Sequence, residues 1–223
     1  MLLLEHSERF TKGIILNRPG NIRLFDEAGE DWRVWFGGDV LSVNEPAETQ
    51  ELLCLHRLGD NPAIARASME VLPGIYWTTF DVARELVRAG EAQQEDFWLF
   101  VGYAGWAPGQ LQGELERDSW YTLAADSSVV LAELLDQKNN PNPAEAGVAT
   151  WEALMARLNK EDEVEKSKES TFEDDMLREW ARATLVPIKE LRPRSSPVPS
   201  MLSALGGGSG GGAADLAGDS VIP

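Results

Sequence analysis

Asp96-Phe97-Trp98-Leu99-Phe100-Val101-Gly102-Tyr103-Ala104-Gly105-Trp106-Ala107-Pro108-Gly109-Gln110 is the stretch that decides the fold. From Phe97 to Val101 every side chain is large and apolar, and glycines follow at 102, 105 and 109. An unbroken apolar run of this length, rich in aromatic residues, suits a strand covered on both faces better than one with a wet face. It predicts a strand over residues 96–103 in the middle of a sheet, after which the glycines let a tight loop leave the strand with Trp106 packed down as a lid.

The flanks supply further elements. Leu2 to Leu4 and Gly13 to Leu16 read as short buried strands, with a turn at Asn17-Arg18-Pro19-Gly20. Over residues 31–36, Trp32, Val34 and Phe36 alternate with Arg33 and Trp35, predicting a half-buried strand that ends at Gly37-Gly38. Residues 52–58, 75–78 and 120–125 read as additional strands. A helix is predicted over 81–89, capped by Thr79 and stopped by Gly90, and another over 127–135, with Val130, Leu131, Leu134 and Leu135 on one side. Strands interleaved with helices give one domain over residues 1–136.

After it the chain simplifies. Asn139-Asn140-Pro141-Asn142-Pro143 reads as a linker. Trp151, Leu154, Met155 and Leu158 fall at helical spacing, as do Phe172, Met176, Trp180 and Ala183, where Thr171 with Asp174 makes a capping-box-like start. Residues 137–192 are thus a linker and helical extension. From 193 to 223 Ser, Pro and Gly dominate, including Gly206 to Gly212 broken only by Ser209, and this composition predicts a disordered tail.

Composition narrows the function classes. The 223 residues carry a formal net charge of −17, whose field repels nucleic-acid backbones and anionic lipid, and no Lys/Arg-dense run makes a local exception. The expected partner is a protein or small molecule, with neither nucleic acid nor membrane contacted directly. One cysteine, Cys54, rules out an internal disulfide framework and a multi-cysteine zinc site, which fits a reducing compartment. Gly102, Gly105 and Gly109 match neither the dinucleotide fingerprint nor the P-loop, no nucleophile elbow is present, and His6 and His56 lack a metal-ligand spacing, so no cofactor, metal or catalytic residue is assigned.

Lys12-Gly13-Ile14-Ile15-Leu16-Asn17-Arg18-Pro19, Phe36-Gly37-Gly38, Leu55-His56 and Gly102-Tyr103-Ala104-Gly105-Trp106-Ala107-Pro108-Gly109-Gln110-Leu111, followed by Glu114 and Trp120, occur here in an order and spacing that resemble the AlgH/YqgE family over roughly residues 1–136. The resemblance implies an α+β fold with a mixed, bifurcated, partly barrel-like β-sheet surrounded by helices. It implies no known enzyme. For some bacterial relatives it carries a role in transcriptional regulation, without an evident DNA-binding motif. Relatives usually carry a further segment before the first strand, so the resemblance also suggests a missing strand and an open sheet edge. The residues near 174–181 resemble extended plant and algal members, which suggests a plastid stroma or cytoplasm.

The candidate binding residues are Asn17, Arg18, His56, Tyr103, Trp106 and Gln110, with Gly37, Gly38, Gly102, Gly105 and Gly109 as structural loop positions. A glycine-rich loop leaving a buried strand can line a pocket with apolar walls and few polar anchors; its plainer reading is a turn. Arg18 suits an anion anchor, against a plain turn at Asn17-Arg18-Pro19. His56 shares a strand face with Cys54, which raises thiol activation, although side chains on one strand run parallel rather than toward each other. The leading expectation is a non-catalytic regulatory binding module. The alternative is an enzyme acting on a small anionic metabolite, with His56 as acid/base and Arg18 as anchor.

Overall fold

The computed structural model describes residues 1–169 apart from Asn21, Glu27 and Pro141; side chains of Pro143 and Ala144 are also outside the description. The helix expected around Phe172 to Ala183 and the tail from 193 lie outside the described residues.

In chain order the elements are β1 (Leu2–His6), β2 (Thr11–Ile14), β3 (Ile22–Phe25), β4 (Asp31–Phe36), β5 (Leu52–His56), α1 (Pro62–Arg66), β6 (Met69–Leu72), β7 (Ile75–Thr79), α2 (Phe80–Arg88), a 3-10 turn (Gln94–Asp96), β8 (Trp98–Val101), β9 (Ala104–Trp106), α3 (Gln110–Glu116), α4 (Ser127–Asn139), α5 (Pro143–Arg157) and α6 (Glu161–Glu169). Six strands form a mixed sheet in the order β3-β4-β8-β5-β7-β6, and three form a second sheet in the order β1-β2-β9. The fold is α+β with open sheets; neither closes into a barrel. β8 is interior, parallel to β4 and antiparallel to β5, as its uninterrupted apolar sequence requires.

The sheet divides just after β8. Gly102 has φ 73, and two residues later the chain re-enters as β9, paired to β2 through Thr11↔Trp106 and Gly13↔Ala104. Gly37 and Gly38 cross the same point: Ile15 N donates to Gly37 O at 2.8 Å, and Gly37 N donates to Val101 O at 2.9 Å. A Cβ on Gly38 would overlap the main chain of Tyr103 and Ala104, and one on Gly102 would overlap Gly38 O. Main chain packs directly on main chain here, so only glycine fits. The glycine-rich stretch is therefore a switch between sheets with a strand inside it, where the sequence reading has a loop.

Two cores flank the large sheet. Trp32, Val34, Phe36, Cys54 and Leu99 meet α1 and α2 on one face. Trp35, Leu53, Leu55, Trp98 and Phe100 meet the small sheet and α4 on the other. β4 is thus buried on both faces; the alternation that predicts a wet face fails because Val130 and Leu134 of α4 cover Trp35's side. Thr79 caps α2 by accepting from Val82 N at 3.4 Å. Residues 120–125 form no strand: Trp120 and Tyr121 are exposed, the first bonded to a carboxylate and the second beneath the Lys160 ammonium. Strand propensity counts only where a partner edge exists. The expected linker shrinks to 140–142, because α4 continues through Asn139 and Pro143 begins α5, a position where its missing N–H removes no helical bond.

Candidate functional site

The turn that follows β8 places Tyr103, Trp106 and Gln110 in one region. Tyr103 pairs with Val40 through both main-chain hydrogen bonds, 3.0 and 3.1 Å. Its ring meets Phe10 edge-on, with centroids 6.1 Å apart, and lies 4.4 Å from the Lys12 ammonium. Lys12, on β2, is buried, forms an ion pair with Glu51 and also faces the Trp77 ring at 5.3 Å. A buried ammonium is tolerated only with a carboxylate or aromatic faces around it, and Lys12 has both. Burial, then Glu51 and Glu5, raise the Tyr103 phenol above its ordinary value and keep it protonated.

Beyond Tyr103 the chain builds a second cluster. Trp106 is buried, and its indole N–H donates to Glu114 Oε2 at 3.0 Å. Trp120 donates to the same oxygen at 2.8 Å, and Gln110 Nε2 donates to Oε1 at 2.9 Å. Gln110 Oε1 accepts from Ala107 N at 3.1 Å, closing the turn. The hydrogen bonds from Trp120, Gln110 and Trp106, in that order of effect, hold the Glu114 carboxyl below its ordinary range, so it is ionised at neutral pH. α3 has no buried residue of its own; this clasp ties it to Trp106.

Beside the clasp opens a cavity of about 360 Å³, walled by His6, Ser7 and Thr11 of the β1–β2 hairpin and by Pro108, Leu111 and Gln112 of the turn and α3. His6 Nδ1 and the buried Thr11 Oγ1 are 2.8 Å apart in that wall. The volume falls within the range of small-molecule sites, roughly 300–1,000 Å³.

None of the six expected residues lines this cavity: Tyr103, Trp106 and Gln110 belong to the two clusters described above, and the other three sit elsewhere. Asn17 lies past the end of β2 opposite to Thr11, and its Nδ2 donates to Gly147 O at 3.1 Å, docking α5. A Cβ on Gly147 would overlap the Asn17 carbonyl. Arg18, next to it, accepts from Phe36 N at 3.0 Å through its main-chain oxygen, and burial pulls its guanidinium below its ordinary value. His56 closes β5 near the start of β8, where Leu55 pairs with Trp98, whereas Gly102 follows the far end of β8. At about 3.3 Å per strand residue the two are roughly 17 Å apart.

The His56 ring is fully buried, stacked on Tyr76 with centroids 5.7 Å apart and edge-on to Phe97 at 5.5 Å. Leu58 N donates to Nδ1 at 3.2 Å, which leaves Nε2 as the protonated nitrogen, donating to Ser68 Oγ at 2.8 Å. Ser68 in turn donates to Ile64 O at 2.8 Å. Burial lowers the imidazole pKa to about 4, against a smaller opposing pull from Asp96. Cys54 is buried on the same sheet face, and burial pushes its thiol up. Neither is set for thiolate or imidazolium chemistry at neutral pH. Among the described residues no cluster of three or more His, Cys, Asp or Glu is arranged to hold a metal ion, and no helix is long and apolar enough to cross a membrane.

Sequence reading leaves Glu114, Trp120, Lys12 and Glu51 out of the site. The first two belong to the quoted motif, and the four-residue spacing of Gln110 and Glu114 is a signal that they share a helix face. Lys12 and Glu51 are 39 positions apart, and only the strand register joins them.

The chain is similar to several known proteins. The chain is 33% identical over 138 residues to a UPF0301 protein of Chlorobium chlorochromatii, spanning 61% of this chain and 70% of the relative. A UPF0301 protein of Thiobacillus denitrificans is 30% identical over 131 residues, spanning 57% and 69%. Among solved structures, that of the AlgH protein from Pseudomonas aeruginosa is 24% identical, covering 70% of this chain and 76% of that one, with a TM-score of 0.48. A Corynebacterium diphtheriae protein, DIP2367, is 18% identical, covering 66% and 80%, with a TM-score of 0.39. A family model described as AlgH-like matches residues 1–161, and the chain belongs to the AlgH-like family.

Proposed function

We propose that this protein is a non-catalytic regulatory binding module whose recognition face is the cavity between the β1–β2 hairpin and the turn from Ala107 to Gln112. One observation carries the reading: the clasp of Trp106, Gln110, Trp120 and Glu114 ties α3, and with it Leu111 and Gln112 of the cavity wall, to Trp106, and its carboxylate is committed to that structural role. Glu114 is already ionised and bonded to three N–H donors. A general acid needs a carboxyl pKa raised toward neutrality, the opposite direction. Preformed walls with a few polar anchors, here His6, Ser7 and Thr11, suit selection of a ligand or a short protein segment. The chain's net charge of −17 argues against DNA as the direct partner, so any part in transcription would run through a protein or metabolite.

The enzyme alternative draws no support from the geometry. It needs His56, Arg18 and the glycine-rich turn around one cavity, whereas His56 is sealed at the opposite end of β8.

A thermal-shift screen of the full chain against a metabolite library tests the proposal, with Leu111→Asp as the comparison, since Leu111 lines the cavity and is only partly buried. Compounds that raise the unfolding temperature of the wild type should lose that effect in Leu111→Asp, whose own unfolding temperature stays within a few degrees of wild type. Equal shifts in both proteins would contradict it.

A further inference from the structure

A second cleft, of about 270 Å³, opens where β4 and β8 begin, lined by Arg23, Arg33, Trp35, Glu95, Trp98 and Lys138 among others. It lies at the other end of β8 from the Gly102 turn and is independent of the function proposed above. Arg33 Nε donates to Gly20 O at 3.2 Å and its Nη1 to Lys138 O at 3.2 Å. Lys138 Nζ donates to Glu95 O and, at 3.5 Å, to Phe97 O. Each cation donates to main-chain carbonyls. Among the described residues only Arg23 has a carboxylate partner here, Asp31 at 3.2 Å; no carboxylate comes within 4.0 Å of Arg33 or Lys138.

That is a notable arrangement in a chain with 37 acidic residues against 20 basic ones, where a carboxylate partner would be easy to supply. Half-buried cations usually take one. Asp31, Glu95 and Asp96 lie near enough to balance the three cations in charge. Only Asp31 touches one of them, so N–H groups of Arg33 and Lys138 remain without an anion. Aromatic rings back both cations: Arg33 lies 6.0 Å from the Trp35 ring and Lys138 5.1 Å from Trp98. Burial lowers both cations from their ordinary values; Arg23 adds to this on Arg33 by repulsion, whereas on Lys138 the pulls of Glu95 and Asp96 oppose it and outweigh the repulsion from Arg33. An arriving anion relieves the repulsion between Arg23 and Arg33.

We propose that this cleft binds the phosphate group of a small phosphomonoester, held by Arg33 and Lys138 with Arg23 at the mouth. Guanidinium and ammonium donors converging from two elements, β4 and α4, match a group with several acceptor oxygens and a charge of roughly −1.5 to −2 at neutral pH. The cleft is smaller than the roughly 300 Å³ at which drug-sized sites begin, so it takes a phosphate with a few attached atoms rather than a whole nucleotide.

The test is an NMR titration of the full chain at fixed ionic strength with inorganic phosphate, then glycerol phosphate, with acetate as a monoanion control. The expected result is saturable movement of the Trp98 indole N–H signal, which donates to Leu134 O beside the cleft, with phosphate and glycerol phosphate but not acetate. Arg33→Gln and Lys138→Gln should each weaken binding at least tenfold, Arg23→Gln about threefold, and Arg117→Gln, exposed at the end of α3, not at all. If a variant does not fold, the wild-type titration decides. Non-saturating shifts, the same response to acetate, or equal binding by wild type and a folded Arg33→Gln would overturn the proposal.

Discussion

The two ends of β8 hold polar groups of opposite character. At its start, His56 sits among Tyr76, Phe97 and Ser68 with both ring nitrogens occupied and no exposed surface. At its end, past Gly102, Glu114 gathers three N–H donors at the surface beside an open cavity. Each group is fully hydrogen-bonded, yet burial decides the charge: it drives the imidazole neutral, while Glu114, near water and ringed by donors, stays ionised. A histidine and a cysteine on one strand attract attention in a sequence, but both are buried, whereas the carboxylate on a short surface helix is the ionised group.

Breaking the buried end should have the larger effect. His56→Ala removes a ring packed on two aromatics and takes the acceptor from Leu58 N–H, and should cost about 3 kcal/mol in urea unfolding. A loss no larger than that of an exposed substitution would mean the ring is not enclosed. At the surface end, Glu114→Gln keeps the shape but gives up the charge that three donors share. It should leave global stability nearly unchanged while shifting the indole N–H signals of Trp106 and Trp120 together and raising hydrogen exchange across α3. Independent behaviour of the two indoles would break the clasp into unrelated contacts.

Much of the scaffold was legible because its signals are local. β8 declares itself by five apolar residues in a row, and α2 by its Thr79 cap and Gly90 stop. β9 is invisible for the converse reason: Ala104, Gly105 and Trp106 become a strand only by pairing with β2, more than 90 positions away. β6 hides likewise, being a short edge strand with exposed Met69 and Glu70. The grouping of Trp106 and Gln110 in one clasp follows from their place after the strand, although neither lines the cavity. The separation of His56 from them does not, because which end of a strand a residue reaches depends on register rather than on type.

The account rests on His56 being sealed and neutral, with recognition carried by the other end of β8. Following the His56 imidazole carbon signals by NMR from pH 8 to the onset of unfolding tests this most directly. With a folded pKa of about 4 against 6.5 when unfolded, the native state binds fewer protons between those values, so stability is complete above pH 6.5 and falls as pH drops through 4. The prediction is a neutral ring protonated on Nε2 throughout pH 8 to 5, with titration near 4 accompanied by loss of stability. A reversible titration near 6.5 in the folded protein, with solvent exchange at Nε2, would contradict the account and return the acid/base role to His56.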